Sequence, residues 1–172
     1  VVRQVLAEAD GAGAEARIPH RVVRGHGHAT CREERYGAQT VIDPDGKTSL
    51  ACALLRAWEA RYPRRRAVLV PAWKLGVARA QHGLGQGEAP EVEHAFTAGL
   101  CVIDDLGSER NTAMNAVPDV IFARALEGRP TWVTTWMTPE AVTQRYGDGI
   151  ARRLFEAGRA VVVACGCATH SA

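Results

Sequence analysis

The chain has 172 residues, with 21 Lys and Arg against 19 Asp and Glu, and 47% of it is hydrophobic, which fits one ordinary globular domain with enough apolar side chains for a real core. Charged residues at 23%, with apolar residues spread along the whole length, exclude an intrinsically disordered chain, and a formal charge of +2 is too near neutral to argue by itself for nucleic acid. The longest apolar runs, such as Ala160 to Cys165, have the length of a buried strand and fall far short of the roughly 20 residues a bilayer needs, so no membrane partner is expected.

The chain opens on Val1 with no apolar signal core behind it, which predicts a trimmed or partial chain and a cytoplasmic address. Residues 1–36 carry Gly11, Gly13, Gly25 and Gly27 among scattered charges, and read as a linker or the remnant of an N-terminal adaptor region. His20, His26, His28 and Cys31 in that segment have zinc-compatible chemistry but read as solvated side chains. Cys31, Cys52, Cys101, Cys165 and Cys167 lack any paired C-x-x-C spacing and read as thiols of a reducing compartment.

From residue 37 a strand followed by a helix recurs. Thr40-Val41-Ile42 is a short β-prone run, and Lys47 to Arg61 then sets Leu50, Leu54, Leu55 and Trp58 at helical spacing. Ala67 to Val70 is the second strand, closed by Pro71 and followed by a helix over Trp73 to Gln81. Gly83 to Pro90 is a glycine-rich loop, and a short helix over Glu91 to Thr97 leads into the third strand, Leu100 to Asp104. Ala116 to Glu127 reads as a helix stopped by Gly128 and Pro130. Thr131 to Thr135 is the fourth strand, Pro139 to Arg145 and Ile150 to Glu156 are helical, and Ala160 to Ala164 is the fifth strand. Strands apolar on both faces and alternating with helices predict an α/β, three-layer architecture around a parallel sheet. In such sheets ligands sit at the carboxyl ends of the strands.

Two constellations lie at those ends. Gly46-Lys47-Thr48-Ser49 opens a helix after a strand, as the last part of a phosphate-binding loop does. Backbone N–H groups at the helix start face the phosphates, the lysine brings a point charge to the β/γ oxygens, and the threonine hydroxyl takes Mg²⁺. One strand–helix unit later, Leu100-Cys101-Val102-Ile103 ends in Asp104 and Asp105. An apolar strand ending in two acids supplies one carboxylate for the Mg²⁺ shell and one to polarise a water against the terminal phosphate.

The stretches Val102 to Glu109, Ile121 to Arg129, Pro130 to Thr135 and Tyr146-Gly147-Asp148-Gly149-Ile150-Ala151-Arg152-Arg153-Leu154 together resemble the DnaC/IstB-like branch of AAA+ ATPases, which holds replicative helicase loaders and transposase helpers. The resemblance covers about residues 38 to 166. It implies a P-loop NTPase core over 37–172, without a full C-terminal lid domain, and a five-stranded parallel sheet in the order 5-1-4-3-2. ATP (or ADP) and Mg²⁺ are the implied ligands. Homo-oligomerisation when nucleotide is bound, single-stranded DNA, and a replicative helicase or transposase are the implied partners. It assigns Lys47 and Thr48 to the Walker A lysine and hydroxyl, and Asp104 and Asp105 to the Walker B pair. Arg153 is assigned to an arginine finger offered to a neighbouring subunit. Trp73 and Lys74 fall where DnaC-like proteins turn toward a central DNA channel, and an aromatic beside a cation suits base stacking.

Several positions depart from that pattern. Val41 stands where the Walker A pattern has its first glycine, Pro44 has no N–H to donate, and Asp43 and Asp45 bring negative charge to the phosphate loop. Trp136 replaces the polar residue expected after Thr134-Thr135, and Gly149 replaces a common arginine. These changes define a second expectation, a non-hydrolysing adaptor on the same fold that acts as a protein or DNA interaction module. Arg64-Arg65-Arg66 has phosphate-binding chemistry but reads as a solvated loop.

Overall fold

The structure, a computed structural model, describes residues 20–25, 33–36, 39–42, 46–83, 85–112, 114–155 and 160–165; in 20–25, 33–36, 39–42 and 160–165 it describes the backbone. The elements are β1 (His20–Gly25), β2 (Glu33–Tyr36), β3 (Gln39–Ile42), α1 (Lys47–Arg61), β4 (Ala67–Pro71), α2 (Ala72–Gln81) and α3 (Pro90–Thr97). They continue with β5 (Leu100–Leu106), α4 (Ala116–Leu126), β6 (Thr131–Thr135), α5 (Pro139–Tyr146), α6 (Asp148–Phe155) and β7 (Ala160–Cys165). The helix starts follow local chemistry. Asn115 caps α4 by accepting from the Val117 N–H, Thr138 caps α5 by accepting from the Ala141 N–H, and Pro90 and Pro139 sit in first turns where an amide donor is not needed.

Five strands run parallel in the order β4-β5-β6-β1-β7. Alternation along β5 separates two cores. Leu100 and Val102 face α1, where they meet Leu54, Leu55 and Trp58 together with Trp132 of β6. Cys101 and Ile103 face the other way, into a larger cluster with Leu75, Val92, Val120, Val133 and Leu154 from the remaining helices and β6. A strand buried on both faces must be apolar at every position, as β5 is until its acids begin. On the α1 side the Trp58 and Trp132 rings meet edge to face, with centroids 6.1 Å apart and planes at 85°.

One expectation is corrected here. Thr40-Val41-Ile42 is a strand, but it pairs antiparallel with β2 in a separate two-stranded sheet, Tyr36 opposite Gln39. The place between β6 and β7 belongs to β1, inside the segment read as a linker. Only two residues separate β2 from β3, so their pairing needs almost no loop closure. β1 offers six residues in register with β7 and four with β6. Smaller differences are at helix starts: α6 begins at Asp148, two residues before the periodicity begins, because the acid suits the positive end of a helix.

Candidate functional site

Helix α1 is preceded by Gly46 at its N-cap, whose φ of 70° is left-handed and unstrained because glycine lacks a Cβ. Gly46 has no side chain to cap this start and no acid occupies the first turn of α1, so the helix brings its opening amides and the positive end of its dipole to the carboxyl edge of the sheet. Residues 43–45, with Pro44 and the flanking aspartates, lie outside the described residues, and the side chain of Val41 does too.

The acids arrive at the same place through a bulge. The β5–β6 ladder pairs Ile103 with Val133 and next Leu106 with Thr135, so Asp104 and Asp105 together face Thr134. Asp105 takes the extra position with φ of 56°, the only non-glycine among the described residues at positive φ. Aspartate tolerates that conformation better than most residues. The Thr134 hydroxyl replaces the missing ladder bond: its Oγ1 accepts from the Asp105 N–H at 2.8 Å and donates to Asp104 Oδ1 at 2.6 Å.

From α1, the Thr48 hydroxyl reaches Asp104 Oδ1 at 3.0 Å and Oδ2 at 3.2 Å. Asp104 is buried, with both oxygens engaged by hydroxyls. Asp105 keeps an exposed face, and partial desolvation first and the Asp104 charge next hold its carboxyl above the ordinary range, while Lys47 and a hydrogen bond from Ser108 pull the other way. Lys47 is therefore electrostatically coupled to Asp105. Lys47, Thr48, Asp104 and Asp105, predicted from separate motifs, meet at one point, and Ser49 stands half-buried in the same helical turn. Among the described residues no group of three or more His, Cys, Asp or Glu is placed to hold a metal ion. What the site offers is a hydroxyl and a carboxylate, hard oxygen donors of the kind Mg²⁺ takes alongside phosphate and water.

Thr134 is the member that motif reasoning missed. The signal was a threonine at the carboxyl end of the strand beside the acidic one, but its role needs the β5–β6 register. Trp136, two residues on, is 60% exposed.

The structure does not bring Arg153 to this cluster. Its Nη1 donates to the Gly149 carbonyl at 2.6 Å, and its guanidinium lies 4.2 Å from the ring centroid of half-exposed Phe122 on α4. Trp73 and Lys74 are both exposed in the first turn of α2, which leaves β4 just after Pro71, the register partner of Asp104. Trp73 is 50% exposed and so is not part of the core. With Val77, Gln81, Ser108, Arg110 and Thr112 it lines a cleft of about 520 Å³ between α2 and the loop after β5.

No protein-family model and no curated protein matches the chain. Solved structures do. The DnaC helicase loader aligns with a TM-score of 0.67 at 18% identity, over 95% of this chain and 86% of the loader. DnaI aligns with a TM-score of 0.65 at 16% identity, over 95% of this chain and 84% of DnaI. The replication initiator DnaA, bound to AMPPCP and single-stranded DNA, aligns with a TM-score of 0.60 at 19% identity, over 94% of this chain and 44% of the initiator. This chain thus spans under half of that protein's length. The likeness shows the fold alone, an α/β P-loop NTPase-like fold with a parallel sheet. None of the described helices is long and apolar enough to cross a membrane.

Proposed function

We propose that the chain is an ATP-binding AAA+ protein that assists DNA replication by loading a helicase, or assists transposition, through nucleotide-dependent assembly on single-stranded DNA or on the helicase. One observation carries this reading: the Thr48 hydroxyl at the mouth of α1 meets both Asp104 oxygens at the carboxyl end of a parallel sheet. The fold shared with a helicase loader and with a DnaA structure holding AMPPCP and single-stranded DNA supports it.

In this reading the amides that open α1, with Gly46 and Ser49, bind the phosphates, and Lys47 neutralises their terminal charge. Thr48 and Asp104 would hold Mg²⁺, which supplies further charge neutralisation when bound. Thr134 fixes the Asp104 rotamer by donating to Oδ1. Asp105 accepts a proton from the attacking water, and its raised pKa makes it a better base than an aspartate in the ordinary range. Arg153, on a surface away from its own cluster, stabilises phosphoryl charge in the next subunit's site. Trp73 stacks bases at the cleft beside Lys74 and Arg110.

Titration with ATP by calorimetry, with and without Mg²⁺, tests the reading. Binding that requires Mg²⁺ and is lost in Lys47→Ala is the expected outcome, whereas no binding at millimolar ATP in the unaltered protein overturns it. For DNA, Trp73→Ala should weaken a fluorescent oligothymidylate by about 1–3 kcal/mol, the value of one stacked base. Equal affinity in the variant removes Trp73 from the interface.

The adaptor reading rests on a different observation. Trp136 at the exit of β6 is 60% exposed and, as an indole, donates one hydrogen bond and accepts none. It therefore cannot orient a water through an acceptor. Binding of ATP without turnover would favour the adaptor.

A further inference from the structure

Beyond the acids, the loop after β5 carries a buried carboxylate that the nucleotide chemistry does not use. The Glu109 side chain is 1% exposed. Its Oε2 accepts from the Gly107 N–H at 3.1 Å. Its Oε1 accepts from the Tyr146 hydroxyl and from Asn115 Nδ2 at 3.4 Å, and lies 3.7 Å from Arg145 Nε. Arg145 also donates from Nη2 to the Glu109 carbonyl and from Nε to the Tyr146 hydroxyl at 3.1 Å. One oxygen thus grips the turn that follows the acids, and the other grips the last two residues of α5.

Both ends of this bridge are unusual backbone. Asp105 sits in the left-handed region, and its carbonyl accepts from the Ser108 N–H at 3.0 Å, closing a tight turn. Gly107, inside that turn, has φ of 106°, and a Cβ there would lie 2.7 Å from Met137 Sδ, so the turn is seated directly against the exit of β6. At the other end, α5 stops at Gly147 with φ of 82°, and α6 begins at once. α6 carries Arg153.

We propose that Glu109, clamped by Arg145 and Tyr146, is a positioning residue that couples the Asp105 turn to α6 and so ties the acid that serves this subunit's nucleotide to the arginine offered to the neighbour's. The coupling rests on the ATPase reading only for its purpose; the mechanical link is a property of this chain alone. The Gly107 amide, the Asn115 amide nitrogen and the Arg145 guanidinium can only donate, so Glu109→Gln, with one acceptor oxygen, must face an N–H group toward either the Gly107 amide or the Arg145 and Asn115 donors. Tyr146→Phe removes a donor on the α5 side without touching the turn.

Hydrogen exchange on the full chain without nucleotide reads the link directly. Tyr146→Phe and Glu109→Gln should each raise exchange by about tenfold in peptides covering 105–108 and also in 148–155, with 67–71 and 131–135 unchanged. Acceleration in Tyr146→Phe that stays within α5 and α6, leaving 105–108 as in the unaltered protein, overturns the coupling. In steady-state hydrolysis both variants should keep the KM for ATP within about twofold and lose at least about tenfold in kcat, with the double variant no worse than either single one. An additive double variant, or a kcat left intact, also overturns it. If the unaltered protein turns over no ATP, the ATPase reading fails by itself, and the exchange result still decides whether the two elements are linked.

Discussion

Asp105 concentrates the chemistry of the site in one residue. Its backbone is left-handed, its carboxyl stands partly exposed beside the Asp104 charge, and its amide is held by Thr134. A carboxyl whose pKa is raised in the folded state contributes most to stability below the ordinary aspartate range, and that contribution is lost as pH rises through the raised value. At neutral pH the ionised form therefore costs stability. Asp105→Asn removes the charge and keeps a residue tolerant of positive φ. Its melting temperature should exceed that of the unaltered protein at pH 7, and the difference should shrink as pH falls through the raised Asp105 pKa toward the ordinary aspartate range; a pH series by calorimetry checks this. The same variant should lose about 10²–10⁴-fold in hydrolysis, the usual worth of a positioned base. Lys47, Thr48 and the acid pair were legible because phosphate chemistry demands those types at strand ends. Thr134 and Glu109 were not, since a threonine in a strand and a glutamate in a polar loop acquire these roles through partners 29 or more positions away.

At the scale of elements, a buried arginine decides how three pieces join. Arg124 of α4 is 0% exposed. Its guanidinium donates to the carbonyls of Ala95, Phe96 and Ala98 at the end of α3, to the Pro130 carbonyl and to Thr131 Oγ1, at 2.7 to 3.0 Å. The last carbonyls of a helix have no partners of their own and form its negative end, so a planar cation there satisfies several at once. Burial lowers the arginine pKa, yet its charge remains distributed over good acceptors. Lysine cannot reproduce the fork. Arg124→Lys should cost about 2–4 kcal/mol in urea unfolding, from carbonyls left buried and unpaired, with ATP affinity changed much less because α3 is remote from Lys47. Helix and strand positions after residue 46 follow from periodicity and from caps such as Asn115 and Thr138. The β2–β3 hairpin departs from that pattern because local pairing across two residues competes with joining a parallel sheet, and short strands leave periodicity little to measure.

For the molecule as a whole, the question is whether the site is complete in one chain. Lys47, Thr48, Asp104, Asp105 and Thr134 converge within it, while Arg153 lies over Phe122, half-buried and away from them. If Arg153 acts across an interface, Arg153→Ala should lose about 10³-fold or more in hydrolysis by itself. Mixing it in equal amounts with Lys47→Ala should then restore about a quarter of the wild-type rate, the statistical share of head-to-tail interfaces that pair an intact site with an intact finger. No recovery in the mixture would place Arg153 outside the reaction. By itself the sequence determined the alternation of strands and helices, the two-sided apolar character of β5, and the residue types at the strand ends, because these are written in local periodicity and in the chemistry each motif demands. Only the tertiary structure decided that β1 and not β3 lies between β6 and β7, that a bulge sets Asp104 and Asp105 together opposite Thr134, and that Glu109 and Arg124 are buried anchors. Strand order, register and burial depend on which distant segments compete for the same edge or the same cavity, and that competition leaves no local signature in the chain.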